Sequence, residues 1–252
     1  MKYLSLIIVI VTGILLLHAS QDFPDWGDAH SPANSNQISQ HFITQTGEQT
    51  AVPNFVTAVL ADYRGFDTLF ETIVVFIAGI AIMAVLGLVR MDSLVNAPDS
   101  PRDPTDRDII VIQTCRVITP VIQLFALYVV AHGHHSPGGG FQGGVIFGAS
   151  LILMAISRDL SAALKRISAR RAFILAMVGI LIYAGIGMLC IFMGGNFLDY
   201  SVLHPLLPAT DSVMARSHGM LGVEIGVAFT VSTIMFAIYA LLSSGGRLKG
   251  GL

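Results

Sequence analysis

Four stretches of the sequence place ionisable side chains at spacings that could bind or carry an ion. The first begins at Arg64 and contains Asp67 and Glu71, which lie one turn apart if the segment is helical. Two carboxylates on one helix face, with a cation nearby, suit a proton relay. Thr68 and Glu71 also fit a capping box, in which Glu71 only satisfies a free N–H group at the start of a helix. The residue pattern leaves both interpretations open.

The second stretch contains Arg116, which lies about 10 Å inside an apolar run that begins at Ile109. If this run crosses a membrane, a permanent charge at that depth is expected to face the protein interior or a water-filled cavity. The alternative is that the long side chain reaches back to the membrane surface. Pro120 follows one turn later, so we expect a kink that frees the carbonyl of Arg116 from its usual hydrogen bond.

The third stretch is rich in histidine and glycine and reads His132-Gly133-His134-His135-Ser136-Pro137-Gly138-Gly139-Gly140-Phe141-Gln142-Gly143-Gly144. The imidazoles of His132, His134 and His135 suggest a zinc or copper site, because neutral histidine is a common ligand of both metals. No cysteine or carboxylate nearby completes such a site, and the glycines lack the Gly-Lys-Ser/Thr ending of a phosphate-binding loop. Metal binding therefore accounts for few of these residues.

A structural interpretation accounts for more of the same stretch. Histidines at the C-terminus of a helix interact favourably with its dipole, and the Ser-Pro-Gly-Gly-Gly segment is typical of a turn. Gly140, Gly144 and Gly148 recur every four residues, a spacing that lets a membrane helix pack closely against a neighbour. We therefore predict a turn and packing motif that includes Gly138, Gly139, Gly140, Gly143 and Gly144.

The fourth stretch, Gly222-Val223-Glu224-Ile225-Gly226, places an acidic residue well inside a long apolar run. The flanking glycines would press this helix against another one. A carboxylate inside a membrane indicates a proton or cation site, and the alternative is a buried glutamate that is hydrogen-bonded to another helix. His218 lies nearer the end of the same run, where it could be an interfacial residue or the entrance to the same path.

Composition identifies the kind of protein that must position these residues. Of the 252 residues, 54% are hydrophobic and 12% are charged, and the mean hydropathy is +0.72. Soluble domains carry about 25% charged residues, so the sequence predicts an all-α, polytopic membrane protein. The net charge of −2 argues against nucleic-acid binding. Cys115 and Cys190 lack the paired spacing of a disulfide framework or a thiolate metal site, and we predict no cofactor.

Six apolar runs approach the roughly 20 residues that a spanning helix needs. They are Tyr3–Leu17, Leu69–Val89, Ile109–Val130, Phe141–Ser157, Phe173–Met193 and Gly219–Leu242. The first run follows Lys2, as in a signal peptide, but the residues before Ser20 lack the small-residue pattern of a cleavage site. We therefore interpret it as an uncleaved anchor.

Basic residues test the six-span prediction, because Lys and Arg of short loops collect on the cytoplasmic side. With the N-terminus in the cytoplasm, only Arg64 and Arg216 lie outside. The residues on the inside are then Lys2, Arg90, Arg102, Arg107, Arg116, Arg158, Lys165, Arg166, Arg170, Arg171, Arg247 and Lys249. This distribution predicts that both termini are cytoplasmic.

The connections between the spans divide the chain into two parts. A long acidic outer segment separates the first two spans, and its residues 54–63 show the helical apolar spacing of a helix that lies along the membrane surface. The proline- and aspartate-rich stretch at 96–107 is typical of a linker. We therefore predict a two-helix unit at 1–95 and a four-helix domain at 108–252.

Both parts resemble parts of known membrane complexes. The segment from His132 to Gly144 closely resembles the signature of the B subunit of Mrp-type multisubunit Na+/H+ antiporters, the MnhB family, and the last four spans match the layout of that family. Arg116 with Pro120 and the segment at Glu224 also look like this family, in which aspartate is more usual at the position of Glu224. The front half, from Val52 to Glu71, resembles the small E component of membrane-bound hydrogenases, which is itself similar to the C-terminal end of the large A component of the antiporter.

The two resemblances together cover nearly the whole chain and imply a natural fusion of two neighbouring subunits. Such complexes exchange Na+ for H+ or couple a redox module to ion transport, and they are similar in part to the membrane arm of respiratory complex I. The main antiporter subunits of the family carry their ion path on lysine and glutamate residues of long chains. No lysine lies inside any predicted span of this chain.

The resemblance therefore implies a subunit of the prokaryotic cell membrane that has no enzymatic chemistry of its own. Such a subunit would line or complete a path for Na+ or H+ together with other membrane subunits. The residues expected to border this path are Asp67, Glu71, Arg116, His218 and Glu224. The alternative is a self-contained metal transporter or metal-dependent membrane enzyme that uses the three histidines.

Overall fold

The computed structural model describes residues 2–32, 36–92, 109–208 and 210–245. Within these ranges every regular element is helical, and six helices are long and apolar enough to cross a membrane. The prediction of a polytopic, all-α membrane protein with about six spans is therefore confirmed, whereas the cytoplasmic location of both termini stays a prediction. The predicted linker at 96–107 lies outside the described residues.

The helices are numbered along the chain as the structure bounds them. They are α1 (Lys2–Ala19), α2 (Gln37–Thr50), α3 (Phe55–Ala58), α4 (Gly65–Asp92), α5 (Ile109–Ala131), α6 (Gly140–Ser157), α7 (Leu160–Arg166), α8 (Ala169–Phe192) and α9 (Ser212–Ser243). Short 3-10 turns occupy Ser20–Asp22 and Tyr200–Leu203, and a π-helical segment, Val59–Tyr63, continues α3. The chain divides into two compact units, Met1–Gln45 and Thr46–Leu252.

Local sequence signals explain where several helices begin. The Asp211 carboxylate accepts a 2.7 Å hydrogen bond from the Met214 N–H at the start of α9, and the Ser168 hydroxyl accepts one from Arg171 at the start of α8. Such side chains satisfy backbone donors that the first turn leaves free. Helix α6 instead begins after Gly139, whose φ of 124° lies in a region that favours glycine.

Helix α9 forms the centre of the second unit. In its most apolar stretch 61% of the residues are buried, against 17% in α4 and 11% in α5. It packs against α8, α6 and α4. Gly144 and Gly148 of α6 lie directly against Ala228 and Ser232 of α9, where an added Cβ atom would approach the α9 backbone to 3.1 and 2.9 Å. Small residues thus bring these two backbones into close contact.

Two clusters of buried apolar residues lie along α9. One contains Phe173, Ile234 and Phe236. The other contains Tyr183 and Tyr200 together with Val52 and Ala58 from the front half of the chain. The segment before α4 therefore belongs to the same hydrophobic core as the four later spans. The predicted boundaries at 95 and 108 describe sequence modules, and they stay a prediction.

The structure corrects the capping-box interpretation of Thr68 and Glu71. Helix α4 begins at Gly65, one turn earlier than the predicted span, so Thr68 lies within the helix. Its hydroxyl donates a 2.7 Å hydrogen bond to the Leu60 carbonyl, and the Glu71 side chain is exposed. The π-helical segment ends at Tyr63, and Arg64, with φ −123° and ψ 33°, separates it from Gly65, where α4 begins.

Candidate functional site

Glu224 lies on the buried side of α9, directly at the N-terminus of α6. It is 8% exposed. A Cβ atom added to Gly139 would lie 2.5 Å from Glu224 Oε1, and one added to Gly140 would overlap the Glu224 backbone carbonyl. The Gly140 amide lies close enough to interact with the carboxyl. The glycines of the turn therefore bring the positive end of a helix dipole against a buried carboxylate, which is a favourable arrangement.

His134 faces Glu224 from the turn between α5 and α6. Its Nε2 atom is 3.6 Å from Glu224 Oε2, and its Nδ1 atom is 3.2 Å from the Ser217 hydroxyl. His134 is 8% exposed. The facing Nε2 and Oε2 atoms are both buried and lack a hydrogen-bond partner within the described chain. A third such atom is Nδ1 of His218, which lies one residue beyond Ser217 on α9.

The surroundings of His134 favour its neutral form. Burial lowers the pKa of the imidazole, and the charges of His135 and His218 lower it further. A buried histidine loses the hydration that stabilises its charged form, and neighbouring positive charges disfavour a second one. At neutral pH the ring therefore carries one proton, and the nitrogen that lacks it can accept another.

A small cavity adjoins the Glu224 carboxyl. It has a volume of about 50 Å³ and is bordered by residues of α3, α4, α6, α8 and α9, which include Thr57, Thr68, Gln142 and Tyr183. Such a volume exceeds the minimum of roughly 10–15 Å³ that one water molecule requires. The cavity therefore offers space for water beside a buried ionisable group.

Asn54 and Thr57 attach the segment before α4 to the turn that carries His134. The Asn54 amide nitrogen donates to the carbonyls of Gly133 and Ser136 at 2.8 and 2.9 Å, and the Thr57 hydroxyl donates to Gly133 at 2.8 Å. The backbone N–H of Asn54 donates to the His134 carbonyl at 3.0 Å. These hydrogen bonds fix the turn and thus the position of the imidazole.

Two buried tyrosines attach the same segment to the later spans. The Tyr183 hydroxyl on α8 donates to the Gly65 carbonyl, and the Tyr200 hydroxyl donates to the Ala61 carbonyl, each at 2.8 Å. Both carbonyls lie at or beside the π-helical segment, where the regular hydrogen-bond pattern is interrupted. The tyrosines satisfy these groups and hold the cavity wall in place.

Arg216 and Asp62 form an ion pair close to the same site. Two nitrogens of the guanidinium, Nε and Nη2, donate to the two carboxylate oxygens at 2.7 and 2.9 Å, and Nη1 donates to the Gln49 carbonyl at 3.0 Å. The guanidinium also lies 5.6 Å from the centre of the Tyr63 ring. Burial raises the pKa of Asp62 above its usual value, although the adjacent Arg216 acts to lower it. The pair links α9 to the segment that precedes α4.

The residues predicted to border an ion path do not all converge. Glu224 and His218 lie near His134, whereas the side chains of Asp67, Glu71 and Arg116 are exposed on the surface of this chain. Asp67 pairs with Arg64 in an exposed ion pair. Helix α5 runs without interruption through Pro120. The exposed side chains of Asp67, Glu71 and Arg116 can therefore contact other molecules. None of the three borders the cavity beside Glu224.

The three histidines of the turn do not share one set of neighbours. The rings of His132 and His135 lie 5.5 Å apart, and His132 stacks on Tyr128, whereas His134 is buried against Glu224. Among the residues that the structure describes, no three His, Cys, Asp or Glu side chains are grouped closely enough to hold a metal ion. The observed geometry therefore gives the metal interpretation no ligand set.

Sequence reasoning missed the neighbours of Glu224 and the ion pair beside it. The local pattern at His134 indicates only a turn or a metal site, and the contact with Glu224 joins residues 90 positions apart. The pattern at Asp62 and Arg216 indicates only outer segments. One signal was available for this pair, because a lone arginine at the start of a long apolar run needs a counter-ion at the same end of the protein.

The fold and this buried polar site define a multi-pass membrane protein whose helices enclose a buried carboxylate beside the N-terminus of α6. Residues 110–237, just over half of the chain, match the family described as a domain related to the MnhB subunit of Na+/H+ antiporter, and residues 28–102 match the family named MbhE, from the complex abbreviated MBH. The chain therefore belongs to the MnhB-related family, as the sequence resemblance predicted.

Two relatives match this chain over a little more than half of its length. An uncharacterised protein of Methanocaldococcus jannaschii is 32% identical over 163 residues, which cover 58% of this chain and 60% of that relative. A Staphylococcus haemolyticus protein, which carries the name antiporter subunit mnhB2, is 27% identical over 56% of this chain and 97% of its own length.

Two solved structures share the fold. One is the Mrp complex from Dietzia sp. DQ12-45-1b, with a TM-score of 0.70, 24% identity, and coverage of 98% of this chain and 26% of that chain. The other is the membrane-bound sulfane sulfur reductase, an archaeal respiratory membrane complex, with a TM-score of 0.60, 24% identity, and coverage of 93% and 97%. The similarity of fold thus extends over both halves of this chain.

Proposed function

We propose that this chain is a membrane subunit, without chemistry of its own, of a multisubunit cation/proton antiporter of the Mrp type or of a related redox-driven complex. The MnhB-related segment and the antiporter subunit names of its relatives support this function. The sulfane sulfur reductase structure shares the fold over nearly its whole matching chain, which keeps a redox-driven parent complex as the second candidate.

The buried Glu224 carboxyl carries the proposed role within such a complex. Intramembrane carboxylates are costly and usually mark ion or proton paths, and this one borders a cavity that can hold water. We assign Glu224 and His218 to the part of the path inside this chain. Asp67, Glu71 and Arg116 are exposed, so they would border the path where other subunits contact this one.

The fused architecture fits a protein that joins two parts of a larger complex. The front segment is held to the later spans through Asn54, Tyr183 and the Asp62–Arg216 pair. Helices α4 and α5 expose long apolar faces with few buried residues. Lipid tails and the spans of other membrane subunits are the expected neighbours of these faces.

Affinity purification of the tagged chain from its native membrane tests the proposed assembly. After mild detergent extraction and size separation, we expect long antiporter-like subunits to remain attached, and mass spectrometry identifies them. Subunits that carry redox cofactors would assign the parent complex to the redox-driven class. Recovery of the chain as a stable monomer or homo-oligomer would contradict the proposal.

The Glu224→Gln variant tests the proposed path. We expect it to lower Na+ or proton transport by the assembled complex in membrane vesicles, with growth in high sodium as a second measurement. Glu48→Gln is the matched control, because it makes the same change at an exposed position outside the spans. Unchanged transport in Glu224→Gln would reduce Glu224 to a packing residue.

A further inference from the structure

Glu224 and His134 place two reactive atoms opposite each other inside the protein. Oε2 of the carboxyl and Nε2 of the imidazole are 3.6 Å apart, and neither has a hydrogen-bond partner among the described residues. The large majority of buried polar side-chain atoms are hydrogen-bonded, so two facing unpaired atoms require an explanation. An approach of about 0.6–0.9 Å would bring them to an ordinary hydrogen-bond distance.

Building on the proposed function, we propose that Glu224 and His134 form a proton-exchange pair, and that the ligand of this site is a proton rather than Na+ or a metal ion. The Oε2–H bond breaks as the Nε2–H bond forms. A neutral carboxyl and a neutral imidazole thereby become a carboxylate and an imidazolium. The total charge of the pair is unchanged, and no further reactant is needed.

Ser217 supports the exchange from the other side of the imidazole ring. Its hydroxyl lies 3.2 Å from His134 Nδ1. A serine hydroxyl can accept a hydrogen bond or donate one, so it accommodates either tautomer of the neutral ring. When the Nδ1 proton is donated to Ser217, the lone pair of Nε2 faces Glu224 and can receive its proton.

Each state of the pair has its own stabilising group. The N-terminus of α6 lies against the carboxyl through Gly139 and Gly140, which favours the carboxylate after the proton has left. Burial keeps His134 neutral before the proton arrives, because it lowers the pKa of the imidazole. The site therefore contains one group that favours the state before the transfer and another that favours the state after it.

The composition of the site favours a proton over Na+. Hard cations prefer several oxygen ligands at once, and an imidazole nitrogen is a poor ligand for them. On the side of Oε2 the carboxyl instead faces an imidazole nitrogen, His134 Nε2, at 3.6 Å. A cation bound to Oε2 would therefore lie against a nitrogen atom, which is a poor ligand for it.

Other titratable groups around the pair belong to three elements. His135 lies on the same turn as His134, His218 lies on α9, and Tyr183 approaches from α8. The Tyr183 hydroxyl is engaged with the Gly65 carbonyl. From α3, α4 and α6, the described polar side chains at the cavity are Thr57, Thr68 and Gln142, none of which titrates. His135 and His218 are therefore the groups whose charge can modulate the exchange.

Infrared difference spectroscopy of the purified complex in lipid nanodiscs tests the pair directly. Spectra recorded between acidic and alkaline pH contain the carboxyl absorption of Glu224, which the Glu224→Gln variant identifies by its loss. We expect His134→Asn to shift the pH midpoint of that absorption by about one pH unit or more, as expected for loss of a strongly interacting neighbour. His135→Asn, an exposed neighbour on the same turn, serves as the control and is expected to have a smaller effect.

Ser217→Ala provides a second variant that leaves both exchanging groups in place. We expect it to shift the same midpoint in part, because it removes the group that interacts with Nδ1. If the Glu224 absorption does not titrate, or if His134→Asn and Ser217→Ala both leave its midpoint where it is in the unaltered complex, the pair does not exchange a proton.

Addition of NaCl at constant pH, with choline chloride as the control for ionic strength, tests the rival ligand. We expect no change specific to Na+ in the Glu224 absorption. A Na+-specific change would identify a sodium site and overturn the proposal. This measurement does not require transport, so a failed transport assay and a failed proton-exchange pair remain distinguishable.

Discussion

Loss of Arg216 from its ion pair with Asp62 should destabilise the protein far more than loss of Arg64 from its exposed pair with Asp67. The side chains of the first pair are 24% and 9% exposed, whereas those of the second are 64% and 56% exposed. Arg216→Gln leaves a largely buried carboxylate without its counter-ion. Such a loss costs about 3–5 kcal/mol, and we expect the lower end because the arginine is partly solvated.

The matched change Arg64→Gln should cost about 0–1 kcal/mol, because exposed ion pairs gain little over hydration. For a chain of this size 1 kcal/mol corresponds to about 2–4 °C in Tm. We therefore expect Arg216→Gln to lower the Tm by about 6–12 °C and Arg64→Gln by less than about 4 °C. The assay is heating of the detergent-solubilised protein, followed by fluorescence-detected size-exclusion chromatography.

A double variant separates loss of the pair from loss of the single side chain. Asp62→Asn together with Arg216→Gln removes both charges, so it should be more stable than Arg216→Gln alone, which leaves one buried charge unpaired. Equal Tm shifts for Arg216→Gln and Arg64→Gln, or additive effects of Asp62→Asn and Arg216→Gln, would refute the reasoning.

Three further predictions concern the turn and its neighbours. Gly140→Ala should destabilise the protein by about 1–3 kcal/mol or more, because its Cβ would overlap the α9 backbone. The control Gly185→Ala, which has open space around it, should be neutral or stabilising by about 0.5–1 kcal/mol. Equal Tm values for the two variants would contradict this prediction. Asn54→Asp should lower the stability by about 1–3 kcal/mol, because the carboxylate cannot donate hydrogen bonds to the two carbonyls that the amide binds. The control is Asn36→Asp, which makes the same change at an exposed helix cap. Because the pKa of His134 in the folded protein lies below its value in the unfolded chain, the contribution of His134 to stability is complete above about pH 6.5 and decreases as the pH falls toward the folded pKa. When Tm is measured against pH, His134→Asn should therefore show a smaller decrease at acidic pH than the unaltered protein. An unchanged profile would contradict this prediction.

The amphipathic segment at 54–63 shows what a local sequence pattern can predict and what it cannot. Its apolar spacing predicts a helix, and the structure forms α3 and a π-helical segment there. The spacing does not indicate that the segment joins the core beneath Tyr183 and Tyr200. The sequence also predicts the start of α4 one turn too late, because the apolar run begins at Leu69 whereas the helix already begins at Gly65.

The glycines of the turn can be identified from the sequence, but the residue that they contact cannot. Their number and spacing predict a turn and a close helix contact, since no other residue combines positive φ with so little volume. Which surface they approach depends on how α6 and α9 rotate about their axes. The structure places Gly139 and Gly140 against Glu224, a residue more than 80 positions away in the chain.

The sequence by itself determined that this is a membrane protein with about six spans and an MnhB-related half, because length, hydropathy and contiguous motifs are properties of local sequence. Only the tertiary structure decided that Glu224 faces His134 and that Asp62 pairs with Arg216, which are 154 residues apart. Periodicity fixes which side of a helix is apolar, but the neighbour that a polar group meets depends on the packing of whole helices. The chemistry of the buried site therefore follows from long-range packing.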